Sequence, residues 1–120
     1  MWIMGREGFV SIVEKPADRA TGRLTLRARV RSDLEALRAT VLPTLSAIEA
    51  HTGSDYPYRA TAPREEVARA MASWVERIDY ANFKDAVAKA QGKPRATVYG
   101  RVWEALLRLE VLPATRGVGA

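Results

Sequence analysis

The segment Arg23-Leu24-Thr25-Leu26-Arg27-Ala28-Arg29-Val30-Arg31 alternates without a break. Side chains of an extended chain point alternately to opposite faces, so Leu24, Leu26, Ala28 and Val30 share one side of a strand. Arg23, Thr25, Arg27, Arg29 and Arg31 take the other. Upstream, Gly8-Phe9-Val10-Ser11-Ile12-Val13-Glu14 is rich in β-branched and aromatic residues and predicts a partner strand. Residues 15–22, with Pro16, Asp18 and Gly22, read as the turn of an antiparallel hairpin.

Ser32-Asp33-Leu34-Glu35 has the form of a capping box, and Leu34, Leu37, Ala39 and Val41 continue a helical pattern until Pro43 stops it. Leu45 to His51 predicts a third strand. Tyr56 to Ala62 predicts a fourth, with Tyr56, Tyr58 and Ala60 towards the core and Arg59 opposite. Pro57 cannot donate to a ladder, which favours a sheet edge or a bulge there. Pro63 opens a helix with the stripe Val67, Met71, Trp74, Val75 and Ile78. Asp79 is placed to cap a further helix containing Phe83, Val87 and Ala90, ended by Gly92. Pro94 begins the last, with Val98, Val102, Leu106 and Leu109 on one face beside Tyr99 and Trp103, and Pro113 closes it. The expected fold is α+β: a four-stranded antiparallel sheet in ββαββ order, helices packed on one face, and two further C-terminal helices. A single domain is expected over 1–112 and a loose tail over 113–120.

Composition narrows the chemistry. The 120 residues suit one soluble core, and the absence of cysteine removes disulfides, thiolate nucleophiles and thiolate metal sites. No apolar run nears the ~20 residues of a membrane span, and residues 1–7 do not read as a signal peptide. The expected setting is cytoplasmic. The net charge of +5 has a location: residues 15–31 hold Lys15, Arg19, Arg23, Arg27, Arg29 and Arg31 against Asp18 alone, and the remainder balances. A sheet covered on one side and basic on the other suits an anionic partner.

The candidate nucleic-acid contacts are therefore Arg23, Arg27, Arg29, Arg31 and Arg59, since a guanidinium fork donates two parallel hydrogen bonds to phosphate. Phe9 joins them as an aromatic on the same face. Trp2, one residue from the terminus, either adds a short strand or packs into a partner subunit, while Trp74 and Trp103 read as core. The bland alternative is that the arginines cover the sheet with their stems and pair with Glu14, Asp18 and neighbouring carboxylates. Asp55-Tyr56-Pro57-Tyr58-Arg59 and Asp79-Tyr80-Ala81-Asn82-Phe83-Lys84 each set an aspartate and a tyrosine before a cation. They read as a turn and a cap before they read as a carboxylate pair. His51 is the only histidine, no metal-ligand spacing accompanies it, and no glycine-rich phosphate loop is present, so no cofactor is expected.

These motifs resemble a family of small uncharacterised bacterial proteins. The resemblance runs from Met1-Trp2-Ile3 and Gly8-Phe9-Val10-Ser11-Ile12-Val13 through Arg27-Ala28-Arg29, Asp55-Tyr56-Pro57-Tyr58-Arg59 and Asp79-Tyr80-Ala81-Asn82-Phe83-Lys84 to Tyr99 and Val102-Trp103. It covers about residues 1–110 and implies a bacterial, intracellular setting without supplying a mechanism. The residues themselves favour a non-enzymatic binding protein with nucleic acid as partner. The alternatives are a protein-interaction module or regulator docking an acidic protein surface, including a homodimer through Trp2 and the sheet edge, and a small hydrolase using Asp55, Asp79 and the tyrosines.

Overall fold

Five strands, not four, form the sheet in a computed structural model that describes residues 1–113. The chain divides into two compact units, Met1–Ala81 and a second beginning at Asn82. In the first, β1 (Trp2–Met4), β2 (Phe9–Val13), β3 (Arg23–Ala28), β4 (Glu49–Ala50) and β5 (Tyr58–Pro63) pair antiparallel in the order β1-β2-β3-β5-β4. The architecture is α+β, as the periodicities predict. Tyr58 opens β5 after Pro57, so the proline lies outside the ladder and the strand sits inside the sheet, not at its edge. The third strand shrinks to two residues: Glu49 and Ala50 pair in ladder register with β5, and Ser46 meets it separately, its amide donating to the Thr61 carbonyl and its hydroxyl accepting from the Thr61 amide, both at 2.8 Å.

Register carries the alternation across the sheet. Leu26 faces Ile12 on one neighbour and Ala60 on the other, and Leu24 faces Ala62. This side packs against α2 (Arg31–Thr40) and α3 (Arg64–Glu76) through Leu34, Leu37, Val67, Ala70 and Trp74. Burying a Leu or Val side chain contributes roughly 1.5–3 kcal/mol, so this layer is the main source of stability.

Residues expected as a turn contain a further helix, α1 (Pro16–Thr21). Pro16 suits its first turn, Asp18 accepts from the Lys15 amide at 2.8 Å, and Gly22 at φ 66° ends it in the left-handed region. Punctuation by Pro and Gly fits a six-residue helix as well as a turn. Asp18 is buried and also accepts from the Thr25 hydroxyl at 2.7 Å, so α1 covers part of the face away from α2 and α3.

Helix α2 begins at Arg31, two residues earlier than the Ser32 capping box predicts, and Val30 takes the cap position without a side-chain bond. The cause is Asp33. Its buried carboxylate accepts from the Phe9 amide at 3.0 Å and sits against Gly8, so the helix start is tied to the start of β2. Arg31 therefore leaves the strand face, and Val30 is exposed.

The second unit packs α4 (Phe83–Gln91) against α5 (Lys93–Leu106), followed by the 3₁₀ segment Leu107–Val111. Asn82, not Asp79, caps α4, its side-chain oxygen accepting from the Asp85 amide at 2.9 Å. Val87, Ala96 and Tyr99 are buried, whereas Trp103, expected in a core, is 66% exposed. The expected tail over 113–120 lies, beyond Pro113, outside the described residues. Among the described residues no helix is long and apolar enough to cross a membrane.

Candidate nucleic-acid interface

Alternation dictates what the second side of the sheet presents. Register places Trp2, Ser11, Arg27, Arg59 and Glu49 in one row, one residue from each strand. With neighbouring strands about 4.8 Å apart, the row runs roughly 20 Å across the sheet. Val13, Thr25 and Thr61 form the next row, which α1 overhangs at Thr25.

Tyr56 organises the centre. Sequence alternation points it at the core, but the residue precedes β5 and its buried ring lies on the arginine side. The guanidinium of Arg27 is 4.4 Å from the ring centroid and that of Arg29 is 5.0 Å. A cation over an aromatic face gains about 0.5–1 kcal/mol at exposed sites and more when desolvated. One tyrosine thus holds two positive charges close together. Arg59 donates from Nε to the Tyr56 carbonyl at 3.2 Å, which fixes the segment that carries the ring.

The arginines separate into two groups by their partners. Arg19 and Arg64 both pair with Glu14, Arg31 pairs with Glu35, and Arg59 lies 3.8 Å from Asp55. Arg23, Arg27 and Arg29 have no carboxylate partner among the described residues. Arg23 donates to the Thr61 hydroxyl at 3.0 Å and Arg27 to the Ser11 hydroxyl at 2.8 Å, both neutral acceptors that orient the side chain and leave its charge uncompensated. The Arg27 Nε is shut off from solvent with no acceptor, which costs of order 1–3 kcal/mol unless stacking offsets it. Glu14 and Asp18, the expected neutralisers, are committed elsewhere: Glu14 to Arg19 and Arg64, Asp18 to Thr25 and the Lys15 amide.

Of the predicted contacts, Arg23, Arg27, Arg29 and Arg59 share this side. Arg31 does not; it opens α2, in an exposed pair with Glu35 at 3.0 Å. Trp2 adds a strand, as one of its two readings anticipates, and the residue stays 69% exposed. Phe9 meets it edge-on at a centroid distance of 5.9 Å. Beside the arginines lies a depression of about 490 Å³, lined among others by Lys15, Thr25, Ser46, His51, Arg59 and Thr61. Tyr56 enters the sequence reading only among the tyrosines of the hydrolase alternative, not as a seat for arginines, and Ser11 and Lys15 escape it as site residues. The Asp55–Arg59 and Tyr56 contacts within one short motif were the available signal for the first.

The two aspartate motifs serve different partners. Asp55 accepts from the Tyr56 amide and approaches Arg59. Asp79 pairs with Arg6, whose guanidinium also lies 5.2 Å from the Tyr80 ring centroid. The hydrogen bond to Asp79 raises the Arg6 pKa above its ordinary value. Both aspartates thus have structural employment as partners of arginine. Among the described residues no three His, Cys, Asp or Glu side chains converge to hold a metal ion.

Fold and site together define an α+β protein with a cationic and aromatic sheet face. Compared with known proteins, the chain matches no family model, no curated sequence and no solved structure.

Proposed function

We propose that this protein binds single-stranded nucleic acid on the sheet face opposite α2 and α3. The observation that carries the reading is the partner pattern: among the described residues Arg23, Arg27 and Arg29 lack carboxylates, while Arg19, Arg31, Arg59 and Arg64 have them. Phosphate oxygens would supply the missing acceptors, and guanidinium planes match them in geometry. Trp2, exposed beside Phe9 and two strands from Arg27, offers a ring on which a base can stack. Stacking is worth about 1–3 kcal/mol per base and tolerates any sequence. A sheet face suits an unpaired strand better than a duplex groove, which needs an inserted helix or ribbon.

Fluorescence anisotropy with labelled single- and double-stranded oligonucleotides at low salt is the test. Single strands should bind more tightly, Trp2→Ala should weaken them, and Arg27→Ala with Arg29→Ala should nearly abolish the complex. No binding to any oligonucleotide at low salt would refute the proposal. It would leave an acidic protein surface as the partner of the same arginines.

A further inference from the structure

Between Val98 and Leu112, seven large apolar side chains stand in water, among them Trp103 at 66%, Leu109 at 62% and Val111 at 78% exposure. Ala96 and Tyr99 are buried near the start of α5, whereas Trp103 and Leu106, about one and two turns beyond Tyr99 on the same side, are left uncovered. At about 100° per residue Val98, Trp103, Leu106 and Leu109 share one side of α5 and its continuation, and those four leave on the order of 500 Å² exposed, within the roughly 300–600 Å² of the largest and often functional patch on an ordinary monomer. Two copies meeting there bury on the order of 1,000 Å² in all, the size of a weak and reversible interface.

We propose that this surface of α5 and the 3₁₀ segment is where two copies of the chain meet. Two observations select a second copy. Charges within the segment balance: Arg101 and Arg108 stand against Glu104 and Glu110, and none of the four has an ion-pair partner among the described residues. A patch without net sign pays no repulsion when it meets itself, although the whole chain carries +5, and its mixed charges can pair across a two-fold axis. It has no charge with which to select a strongly acidic or basic partner. Residues 114–120 are a poor cover for it, because Val118 is their one large apolar side chain.

Sedimentation equilibrium over a range of concentrations reads the outcome directly. The mass should rise from 13.3 kDa towards twice that value and level there. Leu106→Glu with Leu109→Glu, both on exposed side chains, should return it to one copy while leaving the far-ultraviolet circular dichroism spectrum unchanged. Val98→Ser with Leu112→Ser gives a second disruption should the first fail to fold. A wild-type chain that remains at one copy, a mass that climbs past two without a plateau, or folded variants that still pair would overturn the assignment. Oligonucleotide binding by the monomeric variant should persist, so the two proposals fail separately.

Discussion

Salt dependence turns the partner pattern of the arginines into a number. Each phosphate neutralised on a single strand contributes about −0.7 to the slope of log affinity against log salt. Among the described residues Arg23, Arg27 and Arg29 have no competing carboxylate, so three contacts give a slope near −2, and a fourfold rise in salt should weaken binding roughly 20-fold. Arg29→Ala removes one contact from an exposed side chain just past the end of β3. Its slope should fall to about −1.4, so the same salt rise costs only about sevenfold. Arg31→Ala is the informative control. Pure alternation puts Arg31 on the binding face, but it opens α2 and pairs with Glu35, so its loss should leave the slope unchanged. Anisotropy titrations across a salt series measure all three slopes. A slope near zero, or equal reductions by Arg29→Ala and Arg31→Ala, would refute the reasoning.

Other perturbations probe the scaffold beneath the face. Gly8→Ala places a Cβ 2.7 Å from Asp33 Cγ, and because Asp33 is held by the Phe9 amide the neighbour cannot yield; urea denaturation should show a loss of about 1–3 kcal/mol. Tyr56→Phe keeps the ring beneath Arg27 and Arg29, so stability and binding should both survive. Tyr56→Leu should loosen both guanidinium groups and weaken oligonucleotide binding severalfold by anisotropy. Asn82→Ala should lower the stability of α4 by about 0.5–2 kcal/mol, read from far-ultraviolet circular dichroism, whereas Asp79→Ala should leave that helix intact.

Strands β2 and β3 are legible in sequence because each is half-buried, and a period of two survives any detail of packing. The alternation misleads where a single tertiary bond intervenes. It continues through Arg31, yet the Asp33 carboxylate on the Phe9 amide starts a helix there and removes one arginine from the face. β1 and β4, three and two residues long, have no periodicity to read and exist through pairing with β2 and β5. Local charge counting fails for a related reason. Residues 15–31 carry the whole excess charge, but Glu14 captures Arg19 from nearby and Arg64 from fifty positions along the chain, while Glu35 captures Arg31. What survives on the face is Arg23, Arg27 and Arg29, with Lys15 at the depression beside them. Tyr56 then holds two of those charges close together, and no alternation rule could place it there because it precedes its strand. The field at the site is therefore set less by how many arginines the strand contains than by which of them the rest of the fold leaves unpaired.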